Sequence, residues 1–293
     1  MICIIQTIKK KETKTLVAIG LAGIIFLSIT LLSGCTQKQE GLTIVVIGRD
    51  SASGTREFFL EHVMGKEDFT SALQDKNSNG GIYQTVTQTP GAIGYVGLGY
   101  VDSGVKALKI ENITASAENV LAGTYPIARD LYLFTKGNAT DTAKELIDYI
   151  MSTEGQKIVE DEGFVPLPTS QPYNSSGKNP SGALTIGGST TVFPIVEKAK
   201  DAFKVIYPQI SITVSSTGSG AGITAVIAGT VDVAMSSRDL KSSESDKGLV
   251  RYTIASDGIA IIVNPENTYV DSITMAQLKA IYKGEITNWE DIT

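Results

Sequence analysis

The stretch Ile44-Val45-Val46-Ile47-Gly48-Arg49-Asp50-Ser51-Ala52-Ser53-Gly54-Thr55-Arg56-Glu57 joins an apolar, β-branched segment to a Gly/Ser/Thr turn and then to a helical pattern. Thr43 to Ile47 has the composition of a buried strand. Ser53 is placed to cap a helix over residues 55–64, whose first backbone N–H groups lack intrahelical acceptors. Those donors, with the positive end of the helix dipole, favour an anion by roughly 0.3 to 1 kcal/mol. Gly54 lets a ligand approach the backbone, and Arg49 offers a forked, permanently charged donor. A capped helix after a strand is common, so an anion seat requires more of the same elsewhere in the chain.

The design does recur. Leu184-Thr185-Ile186 reads as a strand, Gly187-Gly188-Ser189-Thr190-Thr191 as a turn, and residues 192–207 as a helix with Val192, Ile195, Val196, Ala199 and Phe203 on one face. Ile210-Ser211-Ile212-Thr213-Val214 leads through Thr217-Gly218-Ser219-Gly220 into a short helix ending at Ala228. Val231-Asp232-Val233-Ala234-Met235 ends in Ser236-Ser237-Arg238-Asp239. Four Ser/Thr/Gly loops therefore follow four strands, and in open α/β sheets ligands gather at the carboxyl ends of strands. Hydroxyls and helix N-terminal amides can surround a tetrahedral oxyanion without adding net positive charge.

Between these units, Ser78-Asn79-Gly80-Gly81 opens a helix over 82–88, followed by a strand at Ala92-Ile93-Gly94-Tyr95-Val96. Leu131-Tyr132-Leu133-Phe134 is a buried-strand pattern. Ala143, Leu146, Ile147 and Ile150 fall at helical spacing, Ile259-Ala260-Ile261-Ile262-Val263 is a further buried strand, and residues 275–282 a further helix. Residues 166–182 hold Pro, Ser, Asn, Gly and Gln with almost no apolar side chain, which reads as an exposed tether.

At 293 residues, 42% apolar and 19% charged, the chain suffices for two ordinary globular domains. Residues 1–34 read as an export signal: Lys9, Lys10, Lys11 and Lys14 precede an apolar run over 16–32, and Leu32-Ser33-Gly34-Cys35 resembles a lipobox. Cleavage makes Cys35 the lipid-bearing first residue and, with Cys3 lost, leaves no second cysteine to pair with. The alternative is an uncleaved anchor, since the run nearly spans a bilayer. Either way the body lies outside the cell. Removal of 1–34 takes four Lys and one Glu from totals of 25 basic and 31 acidic residues, leaving 21 and 30, a net charge of −9. So acidic a body, lacking a basic stripe, argues against nucleic acid as a partner.

Enzyme motifs are missing. Gly218-Ser219-Gly220-Ala221-Gly222-Ile223 lacks the third Gly of a dinucleotide fingerprint, and Ser176-Gly177-Lys178-Asn179 is not a P-loop. There is no nucleophile elbow and no His pair for zinc. His62, the sole histidine, lies nine residues beyond Ser53, about 13 Å along a helix at ~1.5 Å per residue, out of reach of an anion at the N-terminus. It is assigned a structural or exposed role, and no catalytic residue, metal or cofactor is expected.

Over nearly the whole body, the motifs Gly188-Ser189-Thr190-Thr191-Val192-Phe193-Pro194, Met235-Ser236-Ser237-Arg238-Asp239-Leu240, Tyr282-Lys283-Gly284-Glu285-Ile286-Thr287-Asn288-Trp289, the Arg49 to Arg56 stretch and Thr89-Pro90-Gly91-Ala92-Ile93-Gly94-Tyr95 resemble PstS, the phosphate-binding proteins of ABC-type phosphate importers. The resemblance implies a periplasmic-binding-protein-like fold of type II, two α/β lobes joined by a two-strand hinge with the ligand in the cleft. It implies capture of inorganic phosphate and delivery to importer membrane subunits by a lipid-anchored, monomeric receptor. Thr190, Thr191 and Ser219 would bind from one lobe, and Arg49, Ser53, Gly54 and Thr55 from the other, with Ser237 at a further binding position. There, well-studied members carry an Asp that accepts the ligand proton, so Asp239 or Asp50 would have to substitute for it. Without such an acceptor, discrimination against sulfate weakens.

Signatures that open the family chain come last here, and those that close it come first. The order reads as a circular permutation, with an arginine lobe of residues 41–125 plus 266–293 and a contiguous second lobe of 126–265 that includes the linker 166–182. Chain crossings near 125–131 and 263–266 would form the hinge. A truncated tandem gene and halves complementing each other in a swapped dimer are the rival accounts of the order. For function, the rivals are a receptor for sulfate or molybdate, an extracellular phosphatase, and a sensory or adhesive surface protein that keeps only the fold.

Overall fold

The computed structural model describes residues 41–139, 141–168 and 170–292. The export signal and Cys35 lie outside the described residues. Among the described residues no helix is long and apolar enough to cross a membrane.

β-Branched runs form the strands, and Ser or Thr caps open most of the helices. β1 (Val45–Arg49) feeds α1 (Gly54–His62), where the Ser53 side chain accepts the Arg56 N–H at 3.2 Å. β2 (Gln74–Lys76) precedes α2 (Asn79–Gln88), capped by Ser78. β3 (Ala92–Gly97), β4 (Lys106–Ile110) and α3 (Ala117–Leu121) lead to β5 (Ala128–Lys136), then α4 (Asp141–Met151) and α5 (Thr153–Asp161). β6 (Ala183–Gly188), α6 (Phe193–Ile206), β7 (Ser211–Ser216), α7 (Ser219–Ala228), β8 (Val233–Ser236) and α8 (Ser242–Ser245) follow. The last elements are β9 (Leu249–Val263), β10 (Ser272–Ile273) and α9 (Met275–Lys283). A Thr274/Gln277 capping box starts α9, and left-handed Gly284 stops it.

One curled sheet runs β2-β1-β3-β9-β5-β8-β6-β7, with β4 pairing both β9 and β10. β6, β7 and β8 are mutually parallel, as are β1, β2 and β3, while β9 runs antiparallel to β3, β4 and β5.

Two large cores, and a small third cluster around Tyr132, Phe134 and Val226, pack against this sheet. The first contains Ile47, Phe59, Tyr95, Tyr282 and Trp289, with the Phe59 ring 4.4 Å from Tyr95 and 4.7 Å from Tyr282. The second contains Leu131, Leu146, Ile150, Ile186, Val196, Phe203 and Ile254.

β5 and β9 pass from one core to the other. Ile254 and Ala255 lie in the second core and Ile259 in the first, so β9 crosses at 256–258. The sequence reading put that crossing at 263–266. It falls earlier because residues 259–263 insert between β3 and β4 and are buried on both faces. Residues 166–182 are mostly exposed but not a free tether. Tyr173 packs edge-on to Tyr149 and Phe203, its hydroxyl donates to Glu145, and Lys178 pairs with Glu145 at 2.7 Å. With Leu167 N–H donating to Gln156 and Tyr173 N–H to Glu154, these contacts pin it.

Residues 42–44 run beside 287–289: Ile44 N–H donates to Thr287 O at 2.8 Å, and Trp289 N–H to Leu42 O at 3.0 Å.

Candidate functional site

The turns after β1, β6, β7 and β8 meet between the two cores, together with the start of α2. Thr55 comes from the first turn of α1, Thr190 and Thr191 from the β6–α6 turn, Ser219 from the start of α7, and Ser237 from the end of β8. All are buried. Their side chains form a hydroxyl network. Thr55 Oγ1 lies 3.3 Å from Thr191 Oγ1, and Ser219 Oγ lies 3.3 Å from Ser237 Oγ and accepts the Ser237 N–H at 3.1 Å. The approach is close enough that two glycines are required. A Cβ on Gly54 would stand 2.3 Å from Ser219 Oγ, and one on Gly218, at φ +93°, would stand 2.7 Å from Ala52 O.

Arg49 ends β1 and is 1% exposed. Strand residues Gly48 and Arg49 pair with β2, which draws the guanidinium inward. Nε donates to Lys76 O at 3.2 Å and Nη2 to Asn77 O at 3.1 Å. Among the described residues it makes no ion pair with a carboxylate. Burial lowers its pKa from the ordinary value, with Asp50 the largest opposing influence, yet a guanidinium starting so high stays charged at neutral pH. Among the described residues this buried cation bonds only to neutral carbonyls, so its charge has no local counterion.

Three further groups enter the site that sequence reasoning passed over. Asn79 Nδ2 donates to Thr190 Oγ1 at 3.1 Å and Thr191 Oγ1 at 3.0 Å, while Asn79 Oδ1 has no hydrogen-bond partner among the described residues. Arg129 on β5 donates to Thr55 Oγ1 at 3.0 Å and pairs with Asp257 on β9 at 2.8 Å. Burial pushes the Asp257 carboxyl up, against the pull of the Arg129 guanidinium. Tyr100 donates to Thr190 O at 2.7 Å, and burial raises its phenol to about 12.

Among the described residues neither Asp239 nor Asp50 bonds to the hydroxyl network. Asp239 is exposed, its side chain 65% accessible, and pairs with Arg251 at 2.7 Å. The strand ending at Ser236 turns it away from Ser237. Asp50 Oδ1 accepts the Ala52 N–H at 2.8 Å and shapes the turn before α1. His62 is exposed, stacks on Phe58 with ring centroids 3.8 Å apart, and takes no part in the network.

A family model described as a PBP superfamily domain matches residues 6–154 and 174–293. The Phosphate-binding protein PstS 2 of Streptococcus agalactiae serotype V is 36% identical over 297 residues, 97% of this chain and 99% of that protein. The chain belongs to the PstS family. A crystal structure of a phosphate ABC transporter, phosphate-binding protein from Streptococcus pneumoniae TIGR4 shares 36% identity and aligns with a TM-score of 0.70 over 86% of this chain and 100% of that one. The Phosphate-binding protein PstS of Bacillus subtilis is 37% identical over 138 residues, 46% of this chain and 44% of that one. The PstS relationship and the two cores together give the two-lobed periplasmic-binding-protein-like fold.

In this PstS chain the residues missed from sequence left little trace. Arg129 precedes an apolar strand run, where a cation reads as the solvated start of the strand, and Asp257 lies 128 positions away. Asn79 carried a usable signal: the Ser78 cap and two glycines after it are the same turn chemistry that marked the other loops.

Proposed function

We propose that the chain captures inorganic phosphate between its lobes and hands it to the membrane subunits of an ABC importer, acting as a receptor and not as a catalyst. The observation that carries this is the joining of hydroxyls from both lobes, Thr55 from one and Thr190, Thr191, Ser219 and Ser237 from the other, beside a buried Arg49 that no carboxylate among the described residues neutralises. Ser53 and Gly54 add the N-terminal amides of α1. The relatives' names agree with phosphate.

Phosphate is favoured over sulfate by one group. Asn79 Oδ1 is a buried acceptor without a partner, and hydrogenphosphate brings an O–H that fully ionised sulfate lacks. Asn79 takes the place in this reading that Asp239 and Asp50 held in the sequence. Attachment of the monomer to the outer face of the membrane through a lipid on Cys35 completes the proposal.

The lobes are taken as 41–127 with 259–292, and 128–258, following the two cores except at Val165, which packs in the first. Permutation accounts for the order. Residues 42–44 lie against 287–289 in one lobe, which holds α9 from the same chain, and the Bacillus subtilis match spans just under half of each protein, as collinear alignment of reordered chains gives.

Isothermal titration with phosphate and sulfate between pH 5 and 9 tests the function. Phosphate is expected to bind more tightly at every pH. Sulfate binding as tightly as phosphate, or no binding of either anion, refutes it.

A further inference from the structure

Capture of an anion by hydroxyls and Arg49 leaves unexplained a second buried cation at the same place. Arg129 and Asp257 are direct partners in the antiparallel register of β5 and β9, the two strands that pass between the cores. Nε and Nη2 of Arg129 donate to Asp257 Oδ2 at 3.1 and 2.8 Å, and Asp257 Oδ1 accepts the Leu98 N–H at 2.9 Å. The carboxylate is thus fixed from both sides. Gly97 leaves room for it: a Cβ there would lie 3.0 Å from Asp257 Oδ2 and 2.9 Å from Thr191 Cγ2.

The remaining donors of the fork reach into the site. Nη1 donates to Thr55 Oγ1 at 3.0 Å and to Ser237 O at 3.1 Å, and Nη2 lies 3.4 Å from Thr191 Oγ1. Thr55 belongs to one lobe, and Thr191 and Ser237 to the other. The strand that carries Arg129 belongs to the connection between them. All these bonds coexist only while the lobes are together.

A hydroxyl has one hydrogen to give and two lone pairs to receive. Against an anion, only the hydrogen is attractive; a lone pair turned inward repels. An N–H of Arg129 occupying a lone pair of Thr55 or Thr191 turns that hydroxyl's hydrogen away from the fork; the two hydroxyls, 3.3 Å apart, use one hydrogen between themselves and leave the other for the ligand. Asn79 Nδ2 does the same to Thr190 and Thr191. Asp257 meanwhile cancels the charge of Arg129, so the pair sets hydroxyl polarity without acting as a second free cation beside Arg49.

We propose that Arg129, pinned by Asp257, is a positioning residue that aligns the Thr55–Thr191 hydroxyl pair so that its free hydrogen faces the bound anion, and that it does so only in the closed state. This rests on the phosphate reading above.

The test is a double-variant cycle in the full chain, read by titration calorimetry with inorganic phosphate and by stopped-flow phosphate release. Arg129→Lys keeps the charge opposite Asp257 but not the planar fork, and Thr55→Val removes the hydroxyl. Arg129→Lys is expected to weaken binding about tenfold through faster release. The Thr55→Val/Arg129→Lys protein is expected to bind within twofold of the weaker single variant, because both changes remove one function. Arg129→Gln/Asp257→Asn, which leaves no buried charge unpaired, repeats the measurement should the lysine variant fail to fold, with thermal melts establishing which proteins are folded. A loss below fivefold in a folded Arg129 variant, or losses that multiply in the double variant, overturn the proposal. A wild-type protein that binds no phosphate counts against the proposed function instead, so the two failures are distinguishable.

Discussion

Gly54→Ala separates closure from folding. Gly54 opens α1 with an ordinary helical backbone, so alanine there strains nothing locally and carries a helix propensity advantage of about 0.8 to 1 kcal/mol in a helix interior, less at an end. The added methyl would nonetheless stand 2.3 Å from Ser219 Oγ, 2.7 Å from Ser219 Cβ and 3.0 Å from Ser237 Oγ. Ser219 could rotate its hydroxyl away at the cost of its bonds to Ser237, but its Cβ is fixed by the first turn of α7. Every one of these neighbours is on the other lobe, so the clash exists only when the cleft is shut. Overpacking of this kind costs about 1 to 3 kcal/mol, which converts to an affinity loss of roughly 5- to 150-fold. Calorimetry with phosphate should show that loss, while the melting temperature without ligand stays level or rises. Small-angle scattering should show a protein that phosphate no longer compacts fully. Affinity within twofold of wild type would mean that the lobes do not meet at Gly54 in the bound state. A lower ligand-free melting temperature would mean that the methyl disturbs α1 itself.

Other expectations follow from the same geometry. Arg49→Ala should weaken phosphate binding by roughly 1.5 to 3 kcal/mol, Thr190→Ala by about 0.5 to 1.5 kcal/mol; unchanged titrations for both would remove the site. Asn79→Asp should raise the phosphate-over-sulfate affinity ratio at least about tenfold, since a carboxylate accepts the ligand proton and repels a fully ionised anion. Asp239→Asn, on the surface beside Arg251, should leave that ratio unaltered, and a shift there would return Asp239 to the site.

Lys279 and Lys283 hold the exposed Glu67 carboxylate at about 2. Its folded pKa lies below the unfolded one, so the stabilisation is present above pH 4.5 and lost as pH falls toward 2. Thermal melts across that window should show a steeper acid loss in wild type than in Glu67→Gln at low salt. Equal slopes at low salt, or a difference that survives 1 M salt, would contradict a screened surface pair. Joining residues 293 and 41 by a short Gly/Ser linker and opening the chain between Ser176 and Gly177 should give a folded, phosphate-binding protein if the order is a permutation. Failure to fold would favour its rivals.

Local chemistry made much of this legible in advance. Ser53, Ser78 and the loops at 188–191 and 217–219 are read from capping and turn preferences that act within a few residues, and the structure keeps those preferences. Ile259 to Val263 was equally plain as a buried strand. Its continuation back to Leu249 was not, because Thr253, Ser256, Asp257 and Gly258 weaken the strand pattern where the strand passes between the lobes and faces polar partners. Arg129 and Asp257 define each other across the sheet, and neither is informative alone. Asp239 misled through adjacency: it follows Ser237 by two positions, and at a strand end two positions suffice to go from cleft to solvent.

The shared strands bear on how the molecule comes apart. Although there are two large cores, β5 and β9 supply side chains to both: Ala128 and Ile259 on one side, Leu131 and Ile254 on the other, along one ladder interrupted only by a bulge beside Leu131. Unzipping that ladder to release one core exposes the edge of the other. Either lobe would lose its own sheet partner before it could outlive its neighbour. Denaturation is therefore expected as a single cooperative transition, with the same midpoint for a probe in either lobe, in a molecule whose native state is divided by a cleft.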